Sequence, residues 1–185
     1  MKKDFIIPIA VLLMICIVVT GALAATNELT VPIIAQAATD RSAASMRELL
    51  PDATSFTAVE LTETMRENGI RELYDAYSLD TSYGYIVVSA VSGYGGEDSI
   101  VIMLAIDFDL TVIDLRTLKN TETQGLGSRV SEPAFERTFI GADASLEGYT
   151  AITGATISSV AYRNAVDHAL AACAEAQISR MGYVS

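Results

Sequence analysis

Apolar and polar residues divide the chain into an uncharged front and a mixed remainder. From Phe5 to Ala25 no residue is charged, and two lysines and an aspartate stand directly before this stretch. Twenty-one residues of helix span about 31 Å, close to the roughly 30 Å of a bilayer core. The pattern predicts a transmembrane helix within residues 1–25, with a cleaved signal peptide as the alternative.

The charges beside this stretch predict its orientation. Lys2 and Lys3 precede it and no comparable basic cluster follows. The positive-inside rule therefore predicts a single-pass protein of the cell membrane, with a cytoplasmic N-terminus and an extracytoplasmic main domain. Residues 26–40 have no clear period and are interpreted as a tether, which leaves residues 41–185 as one domain.

The centre of that domain has the pattern of a sheet. Apolar, β-branched runs separated by short connections predict an antiparallel meander of at least three strands. These runs are Tyr85–Val91, Ile100–Ile106 and Thr111–Leu118. Residues Ser55–Leu61 predict a further strand.

Segments with helical spacing of apolar residues lie before and after these strands in the sequence. The predicted helices are Arg41–Leu50, Thr62–Tyr77, Glu132–Ile140 and Thr156–Met181. Ser131 is the predicted N-cap of the third helix. The apolar face of the last helix, from Val160 to Met181, is expected to cover the sheet. The fold class is therefore α+β, an antiparallel sheet packed against helices.

Charge narrows the classes of function. The chain has 185 residues, a formal charge of −11 and a mean hydropathy of +0.36. Residues 26–185 hold 10 basic and 22 acidic side chains, a net −12, with Lys119 as their one lysine. Such acidity argues against nucleic acid as a partner, because phosphate binding needs clustered Lys and Arg. A single histidine, His168, and the distant pair Cys16 and Cys173 do not indicate a metal site.

The segment Thr153-Gly154-Ala155-Thr156 stands where a turn enters the last helix. Thr153 is a candidate N-cap, and Thr156 puts a hydroxyl on the first turn. Free N–H groups and the positive end of the helix dipole favour a phosphate there. Ordinary helix capping explains the same residues. Ser158 and Ser159 lie further along the helix and are weaker candidates.

These four residues resemble the Ser/Thr-Gly-Ala-Thr flavinylation motif of the FMN-binding domains in the Rnf and Na⁺-NQR respiratory complexes. The resemblance implies that Thr156 carries FMN through a phosphoester, installed by a flavin transferase that uses FAD. Thr153, Gly154 and Ala155 are then cofactor-binding neighbours. Thr150 stands where most members have an aspartate three residues before the motif.

Two further segments carry the same resemblance. The segment Glu122-Thr123-Gln124-Gly125-Leu126-Gly127 is similar to the family's Glu-Thr-Pro-Gly-Leu-Gly loop near the flavin, with Gln124 in place of proline. The resemblance implies that Thr123, Gly125, Leu126 and Gly127 border the cofactor. Glu122 either hydrogen-bonds the cofactor or caps a backbone turn. Gly93-Tyr94-Gly95-Gly96 is the other match, in which Tyr94 flanks the flavin ring or is an ordinary hairpin aromatic.

Within this family, the sequence is most similar to the G subunits of Rnf complexes, which are ion-translocating ferredoxin:NAD oxidoreductases. The resemblance implies an electron-transfer subunit with FMN as cofactor and the other Rnf subunits as partners. Such a subunit is not catalytic alone, and no catalytic residue is assigned. Alternatives are the FMN subunit of a quinone-reducing Na⁺ pump, a free-standing extracellular flavoprotein, or a non-redox membrane-anchored interaction domain.

Overall fold

The structure is a computed structural model that describes residues 12–21, 44–79 and 81–182. The chain divides into two compact units, Met1–Ser45 and Met46–Ser185. The second unit contains the sheet and the long last helix.

In the first unit, residues 12–21 are helical and their side chains are exposed. None of the helices over the described residues has the length and apolar character that crossing a membrane requires. The other residues of the predicted anchor, and the tether predicted over residues 26–40, lie outside the described residues. The anchor and its orientation stay predictions.

The second unit is built on a five-stranded antiparallel sheet whose strands lie in sequence order. The strands are β1 Ser55–Ala58, β2 Ile70–Ser78, β3 Thr81–Gly93, β4 Gly96–Asp107 and β5 Val112–Asn120. The predicted antiparallel meander of at least three strands is confirmed, and it has five strands. The α+β class is confirmed with it.

Helices flank the sheet in sequence and in space. They are α1 over residues 44–49, α2 Glu63–Glu67, α3 Pro133–Glu136 and α4 Thr156–Gly182, with 3₁₀ turns at Gly127–Ser131 and Arg137–Phe139. The long helix begins at the predicted residue, Thr156.

The centre of the sheet is buried on both faces. Along β3, Tyr85 and Val87 point into the core under α4, whereas Ile86 and Val88 point into a second core that includes Leu49. Strand β4 alternates in the same way. Because both faces are covered, these strands are continuous apolar runs, and this explains why they could be recognised from the sequence.

Helix α4 packs chiefly on β3 through small side chains. Ala165, Ala169 and Cys173 are fully buried along it. The predicted apolar face is partly wrong, because Val160 and Ile178 are exposed. The buried stripe follows the alanines, which allow the helix backbone to lie close to the sheet.

The helix predicted over Thr62–Tyr77 is wrong beyond Glu67. Gly69 adopts a left-handed φ of +82°, and its N–H donates to the carbonyl of Arg66. This conformation ends α2, as glycine commonly does after a helix. Strand β2 follows with a bulge after Ile70, which places the buried Ile70 and Leu73 three residues apart and imitates helical spacing.

The helix predicted over Glu132–Ile140 is a short α-helix, α3, followed by a 3₁₀ turn. Ser131 is not its N-cap: Glu132 holds that position without a side-chain cap, and the Ser131 hydroxyl donates to the carbonyl of Ser128. Strand β1 ends at Ala58 rather than Leu61, because Leu61 packs against the core from an irregular segment.

Candidate functional site

The start of α4 is shaped by a left-handed glycine. Gly154 has φ +83° and lies in the turn before the helix, and the Ala155 N–H donates to the carbonyl of Ile152. The N–H groups of the first helical turn have no carbonyl one turn earlier within the helix. Thr153 is not the N-cap, because the helix begins three residues later.

Hydroxyl groups near this start differ in exposure. Thr156 is exposed, whereas Ser158 is 2% and Ser159 0% exposed. The Ser158 hydroxyl donates to the Glu122 carboxylate, and the Ser159 Oγ accepts from the Ile152 N–H at 3.0 Å. The hydroxyls of the two serines are therefore used inside the protein, and Thr156 is the exposed residue of the three.

The loop after β5 is held in a compact turn. The N–H of Leu126 and the N–H of Ser128 both donate to the Thr123 carbonyl, at 3.2 and 3.1 Å. Gly125 has φ +77°, and its N–H donates to the Ser128 Oγ at 2.9 Å. This geometry leaves Leu126 exposed beside the start of α4, where its Cδ2 is the nearest atom to a Cβ built on Gly154.

The β3–β4 turn is the third segment of the site. The Gly93 N–H donates to the Ser99 Oγ at 2.9 Å, which fixes the entrance of the turn. Tyr94 follows with 71% of its surface exposed. The ring of Tyr94 therefore forms part of a wall and is not a core residue.

One carboxylate connects all three segments. Glu122 Oε2 accepts from the Tyr94 N–H at 3.0 Å and from the Ser158 hydroxyl, and Oε1 accepts from the Gly95 N–H at 2.8 Å. Burial by itself would raise the pKa of Glu122. The hydroxyls of Ser158 and Ser99 and the two backbone N–H groups outweigh it and hold that pKa below its ordinary value.

Glycines make this close approach possible. A Cβ on Gly127 would lie 2.6 Å from the Ser158 Oγ, and one on Gly93 would lie 2.5 Å from the Glu122 Oε1. Both distances are shorter than any side chain tolerates. The glycines at these positions are therefore required by packing around the carboxylate.

The three segments enclose a cleft of about 530 Å³. Small-molecule sites commonly measure roughly 300–1,000 Å³. The cleft is lined by Tyr94, Glu122, Thr123, Leu126, Gly127, Gly154, Ala155, Thr156, Ile157 and Ser158. Of the residues singled out from the sequence, Gly125 and Thr153 are not among this lining.

Sequence reasoning did not assign Ile157 to the site, and it ranked Ser158 only as a weaker candidate hydroxyl. Ile157 is 59% exposed, directly after Thr156 and off the buried stripe of α4. An apolar residue at an exposed helix position was the available signal for it. The pairing of Ser158 with Glu122 carried no sequence signal, because the two residues are 36 positions apart.

The cleft has little formal charge. Of the side chains that line it, Glu122 is the one carboxylate, and neither Lys nor Arg is among them. An anion placed there would depend on backbone N–H groups and the helix dipole rather than on a basic side chain.

Comparison with known proteins agrees with this geometry. The FMN-binding domain family matches residues 93–171, a range that starts at the β3–β4 turn and includes the loop after β5 and the start of α4. All three segments of the cleft therefore lie within the matched domain.

Full-length relatives are similar over most of the chain. The G subunit of the proton-translocating ferredoxin:NAD(+) oxidoreductase complex of Clostridium ljungdahlii is 31% identical, with 84% of each chain covered. The G subunit of the ion-translocating oxidoreductase complex of Methanosarcina acetivorans is 32% identical over 68% of this chain and 71% of its own. The G subunit of the Na(+)-translocating ferredoxin:NAD(+) oxidoreductase complex of Acetobacterium woodii is 29% identical, with 85% and 86% covered. The resemblance inferred from the motifs is thus confirmed, and the chain belongs to the family of G subunits of ion-translocating oxidoreductase complexes.

Proposed function

We propose that this chain is an electron-transfer subunit of an ion-translocating ferredoxin:NAD⁺ oxidoreductase complex, and that it carries FMN covalently on Thr156. The observation that carries the proposal is the cleft at the start of α4, which an exposed threonine lines beside the first-turn N–H groups of the helix, inside an FMN-binding domain. The other subunits of the complex are its partners.

Thr156 is the acceptor that the exposures favour. Ser158 and Ser159 are buried and engaged by Glu122 and by the Ile152 N–H. Thr153 is exposed but does not line the cleft. A transferase that approaches from solvent therefore reaches the Thr156 hydroxyl more easily than either serine.

The phosphate would be held by the beginning of α4. The first turn contains no acidic residue, so the positive end of the dipole is not neutralised by the helix itself. The N–H groups of this turn can donate to phosphate oxygens. A covalent bond complements this modest attraction, because no basic side chain lines the cleft.

The walls of the cleft suit an aromatic ring. Tyr94, Leu126 and Ile157 present exposed apolar surface around it. These side chains would cover the faces of a flavin and exclude water from them. When bound, FMN supplies the redox chemistry, and the protein holds and orients it.

The site belongs, in this proposal, to an extracytoplasmic domain anchored by one N-terminal helix. The uncharged stretch Phe5–Ala25, preceded by two lysines, supports a membrane anchor with a cytoplasmic N-terminus. Such an anchor would keep the flavin near the membrane subunits of the complex. A flavin transferase on the same side would complete the protein.

The test is attachment of flavin to the full chain. The wild type is produced with and without a flavin transferase, separated on a denaturing gel and examined for flavin fluorescence and intact mass. We expect fluorescence and the mass of one FMN phosphoester only with the transferase. Thr156→Ala should abolish both, Thr156→Ser should retain them, and the control Thr153→Ala should match the wild type.

Two outcomes would contradict the proposal. Fluorescence that survives in Thr156→Ala would move the acceptor to another residue. A wild type that stays colourless with the transferase would remove the covalent flavin altogether.

A further inference from the structure

The Glu122 carboxylate joins both walls of the cleft at once. On one side it accepts from two consecutive backbone N–H groups, those of Tyr94 and Gly95. On the other side it accepts from the hydroxyl of Ser158 in the first turn of α4. We propose that Glu122 is a positioning residue, which fixes the Tyr94 wall relative to the acceptor turn, and not a ligand of the flavin.

The occupancy of the carboxylate supports this role. An ionised carboxylate has about four acceptor sites, and these three donors, together with the Ser99 hydroxyl named above, already occupy them. The residue is 5% exposed. Little of Glu122 therefore remains to contact a ligand in the cleft.

The backbone of Glu122 is itself held in place. Its N–H donates to the Asn120 Oδ1 at 3.0 Å. The Asn120 amide in turn donates to the Ser128 carbonyl at 3.2 Å and to the Ser131 Oγ at 3.0 Å. The carboxylate is thus a rigid link and not a mobile side chain that happens to lie between two segments.

The link has a direct consequence for the site. Tyr94 forms one wall, and Thr156 with Ile157 forms the other. The N–H groups of Tyr94 and Gly95 reach α4 through the Glu122 carboxylate and the Ser158 hydroxyl. Loss of the negative charge at Glu122 should therefore free the Tyr94 wall while the sheet and helix remain folded.

The inference rests on the proposed function for its meaning, but its first test needs no flavin. Amide hydrogen exchange is measured on the full chain made without transferase, in the wild type and in Glu122→Gln. Hydrogen bonds to charged groups are the stronger ones, so we expect exchange at Tyr94 and Gly95 to accelerate about tenfold or more. Exchange in the centre of β3 and β4 should not change.

Glu136→Gln is the matched control. Glu136 Oε1 also accepts from a backbone N–H and a hydroxyl, those of Thr117 at 2.9 and 2.7 Å, but it does not line the cleft. This variant should leave exchange at Tyr94 and Gly95 at the wild-type rate. If Glu122→Gln does not fold, Ser158→Ala replaces it, with an expected acceleration of about threefold at the same amides.

A second readout connects the link to the flavin. With transferase present, Glu122→Gln should show a smaller flavinylated fraction and a changed flavin emission spectrum, whereas Glu136→Gln should match the wild type. Unchanged exchange at Tyr94 and Gly95 would overturn the inference, and so would faster exchange with an unaltered flavin. A wild type without flavin would refute the proposed function, while the exchange experiment would still decide whether Glu122 joins the two walls.

Discussion

The two ends of α4 differ in how their charge is balanced. At the last turn, Arg180 pairs with Asp75, donates to the Ser82 Oγ at 3.1 Å, and lies 5.9 Å from the ring centroids of Tyr85 and Phe108. At the first turn the helix has no acidic residue, and Thr156 is exposed. The C-terminal end of α4 is therefore paired with side chains of the protein, and we call it the closed end. The N-terminal end has no such partner within the helix, and we call it the open end.

The C-terminal end of α4 therefore contributes to stability, and the N-terminal end is the one assigned to function. A cation at the C-terminus stabilises a helix, and an anion at the N-terminus does the same. The chain supplies the cation itself. At the other end, the one carboxylate that lines the cleft, Glu122, accepts from the Ser158 hydroxyl and from the β3–β4 turn, not from the N–H groups of the helix, so those groups have no anionic partner. The proposed phosphate would complete the helix, so the unfilled end is where the proposed cofactor belongs.

The largest effect is expected from Gly127→Ala, which disturbs the open end. The added Cβ would lie 2.6 Å from the Ser158 Oγ and 2.8 Å from the Glu122 Cβ. Overpacking of this kind should lower the free energy of unfolding by about 3 kcal/mol, measured by denaturant titration. Gly125→Ala is the control, because its Cβ meets open space and only its φ of +77° costs about 1 kcal/mol. Equal losses in both variants would contradict the packing argument.

The next effect concerns the closed end. Asp75 is 8% exposed beside Arg180, so Arg180→Ala leaves a largely buried carboxylate without its cation, which should cost about 2 kcal/mol of unfolding free energy in thermal or chemical denaturation. Adding Asp75→Asn to this variant removes the orphaned charge and should recover part of the loss. A double variant less stable than Arg180→Ala alone would show that burial of the charge is not the cause.

A pH titration of stability should distinguish Glu122 from ordinary surface acids. Its folded-state pKa is lower than its unfolded one, so its contribution is present above the unfolded value of roughly 4.3. The contribution is lost as the pH falls through the folded value. The gap in unfolding free energy between wild type and Glu122→Gln should therefore narrow on acidification. A gap that stays constant from neutral pH to about pH 3 would contradict the assignment.

The smallest effect is expected from a substitution that adds an anion at the start of α4. Ile157→Asp places a carboxylate in the first turn of α4 and, in flavin-free protein, should stabilise it by about 0.5 kcal/mol relative to the uncharged Ile157→Asn. The same carboxylate should reduce flavin attachment, because it occupies the favourable end of the dipole. Calorimetry and gel fluorescence provide the two measurements. Stabilisation that persists at high salt would argue against the dipole, whose effect is screened.

The sequence predicted the central sheet well and its margins poorly. Strands β3 and β4 were recognisable because burial on both faces makes them uninterrupted apolar runs. Strand β2 was mistaken for a helix because a bulge after Ile70 spaces its buried residues by three. This bulge depends on how β2 pairs with β3, and the local sequence pattern of β2 does not indicate it.

The site was predictable where it is local. The start of α4 could be located from Thr153–Thr156, since a turn with glycine precedes an apolar periodic segment. The partnership of Glu122 with Ser158 and with the Tyr94 turn could not, because it joins segments 36 and 28 residues apart. Thr153 was misjudged as N-cap because the left-handed Gly154 delays the helix to Thr156.

The three cleft segments come from the turn after β3, the loop after β5 and the beginning of α4. The meander can pair strand by strand as the chain emerges, but the cleft has only two of its parts until α4 docks on the sheet. The complete cleft therefore exists only in the folded domain. A nascent or misfolded chain exposes Thr156 without the β3–β4 turn and the loop after β5 around it. A modifying enzyme that recognises all three segments would act on folded molecules and not on unfolded ones.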